Sequence, residues 1–351
     1  MRATPDPPER GDGRVFSAAW PPANERTFLK VRSMVGTPFP SGNPAADRRA
    51  QYADTLAYLG DLDAALEVLQ GALELVPGWA AGWFRLGEYF ERAGQTDAAA
   101  QAWDRAVQAD PADPLGAGVK RDLMRARPVA ETLPPAFVEL LFAQYAPRFE
   151  RSLRGALDYR GPEAIMEALD ATGFRHAALA LDLGCGTGLM ADVLRHRCDW
   201  LGGVDISAGM LAEAQARGQY DWLDKCDIGA MAVGEARYDL IIAADVFVYV
   251  GALERIVAWC AGSLQPGGRL AFTVEEGDAP YMLRESRRFA HSEPYLRGLL
   301  AEAGFASCDV TPCVLRKDRG APIRSLVVVA SRAPADGRLS REGDSDREVS
   351  A

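Results

Sequence analysis

The sequence predicts an α/β protein in which a short α-helical repeat segment precedes a mostly parallel sheet. Two observations support this prediction. Several residue types recur 34 positions apart between residues 47 and 127, and from Ala177 onward short apolar strands alternate with helical patterns. Strands that alternate with helices are typical of a parallel sheet with helices on its faces. At 351 residues the chain is long enough for two domains.

The composition is that of an acidic globular protein. Asp and Glu number 49 against 39 Lys and Arg, for a net charge of −10. Nucleic-acid phosphates and anionic membranes both attract basic surfaces, so we expect neither as a partner. The six cysteines contain no CxxC pair and the three histidines show no ligand spacing, so we expect no metal site. Residues 1–13 lack the apolar core of a secretory signal, which favours a cytoplasmic protein.

The internal repeat has a period of 34 residues, as the pair Gly60 and Gly94 shows. This is the period of the tetratricopeptide repeat, a helix–turn–helix unit. The second copy resembles that family closely, whereas the first has Arg49 at the position of a family Trp, which suits a terminal cap. Residues 115–127 are expected to add a closing helix. The second copy carries the resemblance in Trp83, Leu86, Gly87, Phe90, Ala99, Trp103, Ala106 and Pro111.

Composition also suggests where the domains begin and end. Residues 1–46 and 332–351 are rich in Pro, Gly, Ser or Arg without a sustained period, and we expect both to be disordered extensions. The repeats are expected over residues 47–127. A second domain is expected over residues 134–331, and apolar spacing near its start predicts a helical lead-in.

A glycine-rich loop follows the first predicted strand. Residues 178–183 (ALALDL) lead into loop 184–188, which has glycine at its first, third and fifth positions. Alternate glycines let the backbone turn sharply and approach a ligand closely. Asp205, at the end of the next strand, is placed to accept hydrogen bonds from a ribose diol. The pattern is GxGxG instead of the dinucleotide GxGxxG, and Asp182 would repel a pyrophosphate but suit an ammonium group, which favours S-adenosylmethionine.

Five motifs resemble those of the class I S-adenosylmethionine-dependent methyltransferases, in that family's order and spacing. Together with the repeats they resemble bacterial predicted methyltransferases that carry tetratricopeptide repeats. The resemblance implies a Rossmann-like seven-stranded sheet, ending in an antiparallel hairpin near residues 306–314 and 323–331, with S-adenosylmethionine as cofactor. The motifs are LDLGCGTG (181–188), GVDIS (203–207), CDI (226–228), YDLIIAADVFVYV (238–250) and LQPGGRLAFTVE (264–275).

The resemblance also implies cofactor-binding residues. Asp182 stands where the family orients the methionine ammonium, Asp205 where it binds the ribose hydroxyls, and Asp227 where it accepts from the adenine amine. Tyr145, in the lead-in helix, is expected to close over the cofactor as a lid. The other expected contacts are the loop glycines Gly184, Gly186 and Gly188, the adenine neighbours Ile206 and Ile228, and Ala244 and Asp245 at the methionine end.

Methyl transfer is an in-line displacement, so correct positioning of the nucleophile supplies much of the acceleration. A general base is needed only for a nucleophile that is protonated at neutral pH. The candidates are His291, after the fifth expected strand, and Tyr249, after the fourth. Each has a structural alternative. His291 suits a helix N-terminus packed by Phe289 and Tyr295, and Tyr249 suits an aromatic residue at the sheet edge.

The leading hypothesis is an enzyme, an S-adenosylmethionine-dependent methyltransferase of class EC 2.1.1 with an unidentified small-molecule or protein acceptor. The alternative is a tetratricopeptide scaffold whose methyltransferase domain senses a cofactor or is a relic. A nicotinamide-dependent enzyme on a similar fold is a third hypothesis, which Asp182 disfavours. The repeats suggest a protein or peptide acceptor, and a dimerisation or docking surface is an equal alternative.

Overall fold

The computed structural model describes residues 39–125, 132–145, 158–235, 237–318 and 320–334. The chain divides into two compact units. The first comprises Met1–Gly161, Leu283–Arg288 and Cys313–Ser325. The second comprises Pro162–Met282, Phe289–Pro312 and Leu326–Ala351.

The described N-terminal part of the first unit is helical. The side chain of Asn43 caps the first helix by accepting from two backbone N–H groups, and Pro44 occupies the first turn, where an N–H is not needed. This helix therefore begins within residues 1–46, the stretch expected to be disordered. Gly60 ends it with φ 93°, in the left-handed region. The helices are α1 (Pro44–Leu59), α2 (Leu62–Leu75), α3 (Ala80–Arg92), α4 (Thr96–Ala109), α5 (Ala117–Met124) and α6 (Pro135–Tyr145).

The 34-residue period corresponds to two helix pairs, α1 with α2 and α3 with α4. Gly87 in α3 lies against Trp103 in α4, and a Cβ at position 87 would come within 2.3 Å of the indole Nε1. Trp103 is fully buried and its Nε1 donates to the Phe84 carbonyl at 3.2 Å. In the first copy Ala53, also fully buried, holds the position equivalent to Gly87. Small residues thus allow the helices of each pair to approach, as the repeat pattern predicts.

Two boundaries of the first unit differ from those expected. The closing helix begins at Ala117, two residues later than expected, because Asp113 caps its start, accepting from the N–H groups of Ala117 and Gly118 at 2.7 and 2.9 Å. The lead-in helix α6 belongs to the first unit, whereas the sequence grouped it with the sheet. The reason is its apolar face, since Phe137 lies against Gly116 and Leu140 packs on the cluster of helices α3–α5.

The strands form a mixed, mostly parallel sheet, as predicted. The strand order is β3-β2-β1-β4-β5-β7-β6, with β9 paired to β5 and β8 to β9. The pairs β1–β2, β1–β4, β2–β3, β4–β5 and β5–β7 are parallel. The strands are β1 (Ala177–Leu183), β2 (Cys198–Asp205), β3 (Trp222–Lys225), β4 (Tyr238–Ala243), β5 (Leu264–Glu276), β6 (Tyr281–Leu283), β7 (Phe289–His291), β8 (Phe305–Asp318) and β9 (Ala321–Arg332).

The described strands number nine, so the expected count of seven is wrong. The two additional strands are β6 and β7, which lie between β5 and the next helix. Each has only three residues, too few to show the alternation by which a strand is found in a sequence. The final hairpin is present, although both of its strands are longer than expected. The remaining helices are α7 (Gly161–Ala171), α8 (Leu189–Leu194), α9 (Ala208–Arg217), α10 (Glu254–Ser263) and α11 (Glu293–Glu302).

The main core of the second unit lies on one face of the sheet. Leu181 and Leu183 of β1 are buried there with the ring pair Phe247 and Phe272, whose centroids are 5.1 Å apart. Successive side chains of a strand point to opposite faces. Asp182 therefore points to the opposite face of the sheet, away from this core.

Three findings concern the described ranges alone. No helix there has both the length and the apolar character that crossing a bilayer requires. No group of three or more His, Cys, Asp or Glu side chains there is arranged to hold a metal ion. All six cysteines lie in these ranges as free thiols.

Candidate functional site

The loop between β1 and α8 turns on three glycines. Gly184, Gly186 and Gly188 have φ angles of 65°, 55° and 91°, in the left-handed region that other L residues rarely adopt. At Gly184 a Cβ would also come within 2.5 Å of Val246 Cγ2. The loop therefore needs glycine for its backbone conformation and, at its first position, for close approach to the chain that follows β4.

Asp205 ends β2 and fastens this loop. Its Oδ2 accepts from the Gly186 N–H at 2.9 Å, and its Oδ1 accepts from the Ser207 N–H at 2.8 Å. Burial raises the pKa of the Asp205 carboxyl, and hydrogen bonds from Ser207, Gly186 and Ile206 lower it. Each carboxylate oxygen has a second lone pair. The group can thus hold the loop and still accept hydrogen bonds from a diol.

Asp182, near the end of β1, is 1% exposed. Its Oδ2 accepts from the Tyr220 hydroxyl at 2.7 Å. Burial raises the pKa of Asp182 to about 7, the Tyr220 hydroxyl opposes that rise, and the Asp205 carboxylate adds to it. Two buried carboxylates therefore repel each other here, which is costly without a cation. The arrangement suits a positively charged ligand and opposes a pyrophosphate.

The loop also holds a hydroxyl that lacks a partner. Thr187 is 1% exposed, and its Oγ1 has no hydrogen-bond partner within the part of the chain that the structure describes. Leaving a buried polar group unsatisfied costs about 1–3 kcal/mol. A ligand that offers a polar group at this point would recover that cost. Thr187 lies within the motif LDLGCGTG (181–188), but the spacing of the glycines assigns it no role.

The expected adenine-side residues follow β2 and β3. Asp227 caps the 3₁₀ turn Ile228–Ala230 and accepts from the backbone N–H two residues later at 2.8 Å. Ile206 and Ile228 are half-buried, and Ile228 packs against the main core. Because β1, β2 and β3 are parallel, these residues lie at the same edge of the sheet as loop 184–188.

Ala244 and Asp245, expected at the methionine end, follow β4 at this edge as well. Asp245 has φ 58°, an unusual conformation for a residue with a side chain. Its N–H donates to the Oγ1 of Thr273, a fully buried residue of β5, at 2.8 Å. Backbone strain of this kind clusters at functional sites.

His291 ends β7 and is fully buried. Its Nε2 lies 3.1 Å from the Val250 carbonyl oxygen and 2.9 Å from that of Gly251, and its ring stacks on Tyr295 with centroids 6.1 Å apart. A carbonyl oxygen only accepts, so Nε2 carries the proton. Nδ1 is then an acceptor, without a partner among the described residues. Burial lowers the pKa of His291 to about 4, so the ring is neutral at physiological pH.

Tyr249 lies in the short turn Phe247–Tyr249 after β4 and is buried. This turn packs beside β7, so the structure brings Tyr249 and His291 to neighbouring elements at one end of the sheet. Tyr145 is different. It ends α6, but its side chain lies outside the described residues, and its lid role stays a prediction.

The fold and site together define a doubly wound α/β protein with a glycine loop and two buried acids at the carboxyl edge of its sheet, where ligands bind in such folds. Residues 181–272 match the family model of the methyltransferase domain, and residues 46–89 match that of the tetratricopeptide repeat. The chain therefore contains a methyltransferase domain preceded by a tetratricopeptide-repeat segment. The family resemblance found in the motifs is confirmed.

Similar proteins are also methyltransferases by name. The chain is 30% identical over 170 residues to a malonyl-acyl-carrier-protein O-methyltransferase of Enterobacter lignolyticus (strain SCF1), covering 48% of this chain and 66% of that protein. It is 32% identical over 155 residues to methyltransferase-like protein 27 of Homo sapiens, covering 41% and 60%. The matches thus span slightly less than two thirds of each relative. A solved structure of Burkholderia thailandensis 1,6-didemethyltoxoflavin-N1-methyltransferase is similar at 23% identity and a TM-score of 0.46, covering 56% of this chain and 88% of that chain.

Proposed function

We propose that the protein is an S-adenosylmethionine-dependent methyltransferase that acts on a small-molecule or protein acceptor. The observation that carries the proposal is the pair of buried carboxylates, Asp182 and Asp205, beside a loop of left-handed glycines. S-Adenosylmethionine brings an ammonium and a sulfonium, which offset the charge of these acids, and a ribose diol that donates to them. A nicotinamide dinucleotide would instead bring a pyrophosphate to two carboxylates. The domain match and the names of the relatives support the same reading.

Each part of the cofactor has a proposed partner. Asp205 accepts from the ribose hydroxyls, Asp182 from the ammonium, and Asp227 from the adenine amine. The Thr187 hydroxyl gains its missing partner from a polar group of the ligand, which explains why it is buried without one. The loop glycines Gly184, Gly186 and Gly188 let the backbone approach, Ile206 and Ile228 pack on the adenine, and the carbonyls of Ala244 and Asp245 meet the methionine end.

S-Adenosylmethionine supplies a methyl group on a sulfonium, which departs as a neutral thioether. The protein therefore contributes mainly by holding the acceptor in line at about 3 Å and by excluding water. Where the acceptor atom carries a proton, we assign its orientation to His291 Nδ1, with Tyr249 beside it. The Val250 and Gly251 carbonyls fix the tautomer that leaves Nδ1 unprotonated. The low pKa makes this nitrogen an orienting acceptor more than a strong base.

The tetratricopeptide segment, in this proposal, provides a surface for a protein partner, which is either the acceptor or a docking protein. A cytoplasmic location stays a prediction from the sequence. Incubation with S-adenosylmethionine labelled at the methyl group and with fractionated lysate distinguishes the acceptors, because the label enters either protein or small molecules. Binding without label transfer to any fraction would favour the scaffold or sensor hypothesis.

Cofactor binding tests the proposal directly. Titration calorimetry should show binding of S-adenosylmethionine and of its demethylated product, S-adenosylhomocysteine, and weaker binding of NADH. The absence of binding at millimolar ligand would refute the proposal. Tighter binding of NADH would favour the nicotinamide-dependent alternative.

A further inference from the structure

Tyr220 lies between α9 and β3, and its ring occupies space left by two glycines. A Cβ at Gly188 would come within 3.1 Å of the ring Cε2, and a Cβ at Gly203 within 2.9 Å of Cε1. The hydroxyl reaches Asp182 Oδ2, across 38 residues of chain, at 2.7 Å. The absence of side chains at positions 188 and 203 therefore lets this ring pass the loop and reach the buried acid.

The groups around Asp182 are otherwise acidic or neutral. Asp205 of β2 repels its negative charge. The Cys185 thiol of the loop is buried, and burial raises its pKa far above the usual value, so it stays protonated. The pKa of Tyr220 is likewise raised, by burial and by Asp182, so its hydroxyl stays a donor. Among these groups, Tyr220 is the one that favours the ionised form of Asp182.

Asp192 of α8 acts on the Tyr220 hydroxyl, and Arg217 of α9 pairs with Asp192 at 2.9 Å. These side chains belong to the two helices that flank the ring. The Tyr220 hydroxyl, in contrast, contacts the Asp182 carboxylate directly.

We propose that Tyr220 is a positioning residue for the cofactor ammonium, whose hydroxyl holds the Asp182 carboxylate ionised and oriented. With Oδ2 bound to Tyr220, Oδ1 is the oxygen presented to a cation. This inference rests on the proposed function, since it assigns the ammonium to Asp182. It adds a residue that lies outside the glycine loop and outside the motif that contains Asp182.

Removal of the Tyr220 hydroxyl should weaken only the interaction with the amino-acid part of the ligand. In Tyr220→Phe, Asp182 holds its proton to a higher pH, so fewer molecules offer a carboxylate to the ammonium at neutral pH. The variant should bind S-adenosylhomocysteine about 10-fold more weakly at pH 7, and part of the loss should be recovered at pH 8.5. 5′-Methylthioadenosine shares the adenosine but lacks the amino-acid part, so its affinity should stay within about twofold.

The experiment is calorimetric titration of both ligands from pH 6 to 8.5, with wild type, Tyr220→Phe and a control, Tyr238→Phe. Tyr238 is half-buried in β4 and belongs to no part of the proposed site, so its variant should match wild type. Equal loss of both ligands in Tyr220→Phe, or a loss that does not depend on pH, would overturn the assignment. If neither ligand binds wild type, the proposed function itself fails.

A second variant tests the same inference without the ring substitution. Asp182→Asn is neutral at every pH, so it should lose S-adenosylhomocysteine selectively and show a flat pH profile. When Tyr220→Phe is added to Asp182→Asn, the affinity for S-adenosylhomocysteine should fall by less than a further twofold, because the hydroxyl acts through the carboxylate. Wild-type affinity of Asp182→Asn for S-adenosylhomocysteine, or an undiminished effect of Tyr220→Phe in the double variant, would refute the inference.

Discussion

Asp205 accepts a hydrogen bond from the Gly186 N–H at 2.9 Å, so the acid that ends β2 also fixes the glycine loop that follows β1. The second oxygen of the same carboxylate is held by Ser207, at the start of α9. One side chain therefore links the loop, the second strand and the next helix. Its burial is possible because backbone N–H groups replace the water that a carboxylate loses.

Asp205→Asn should weaken cofactor binding by about 10- to 100-fold, because the carboxamide loses the charge and one of two acceptor atoms. Asp227→Asn should have a smaller effect, since Asp227 is half-exposed and water can replace part of its interaction. Calorimetric titration with S-adenosylhomocysteine measures both. Affinity of Asp205→Asn within twofold of wild type would contradict the ribose role.

Thr187→Val tests whether the unpartnered hydroxyl belongs to the ligand site. In the protein without ligand, the change removes a buried group that has no hydrogen bond, so stability should stay equal or rise by about 1 kcal/mol. Binding of S-adenosylhomocysteine should fall about 10-fold. Thr187→Ser retains the hydroxyl and is the matched control. If Thr187→Val lost stability but bound the ligand normally, the hydroxyl would have a structural partner instead.

Gly87→Ala should destabilise the tetratricopeptide segment by about 1–3 kcal/mol, because its Cβ would come within 2.3 Å of Trp103 Nε1. Gly71→Ala is the control within a neighbouring helix, since its Cβ would meet only Arg49 Nη1, at 3.5 Å. Replacing that helical glycine should stabilise by about 0.5–1 kcal/mol. Chemical denaturation followed by circular dichroism gives both values. Similar stabilities for the two variants would mean that position 87 does not control how the helices pack.

Local patterns predicted much of this architecture. The 34-residue period predicts the two helix pairs, because Gly60 and Gly94 recur at equivalent positions and both adopt the left-handed conformation. The loop glycines and Asp205 were found because a motif has a fixed spacing. Two site residues were not found. The contact of Tyr220 with Asp182 depends on how α9 packs, and no spacing records it. Thr187 lies within a motif that the sequence does reveal, but only the fold shows that its hydroxyl has no partner among the described residues.

His291 should make the protein less stable in mild acid. Burial lowers its pKa to about 4, below the ordinary value of 6.5, so the unfolded chain takes up the proton first. Its contribution is fully present above pH 6.5 and is lost as the pH falls toward 4, on the order of 3 kcal/mol in total. His291→Gln removes this dependence, and the exposed His196→Gln is the control. An unchanged slope in His291→Gln, by denaturation between pH 7 and 4, would contradict the burial of a neutral ring.

The pH dependence of stability expected from Asp182 is opposite to that expected from His291. Asp182→Asn is therefore a test of the whole site. Burial raises its pKa from 3.8 to about 7, so its contribution to stability is present below pH 3.8 and is lost as the pH rises through 7. Asparagine is uncharged at every pH, so it avoids the cost of burying a charge at this position. At pH 8, without ligand, Asp182→Asn should therefore be more stable than wild type, by on the order of 3 kcal/mol.

Bound ligand should reduce or reverse this difference in stability between Asp182→Asn and wild type. Only the ionised carboxylate pairs with an ammonium, so 1 mM S-adenosylhomocysteine should raise the melting temperature of wild type at pH 8 more than that of Asp182→Asn. Denaturation with and without ligand measures both differences. A ligand-free variant that is less stable than wild type at pH 8 would show that the charge is compensated inside the protein. The expected pair of results would show that the fold gives up stability at Asp182 and that the cofactor restores it.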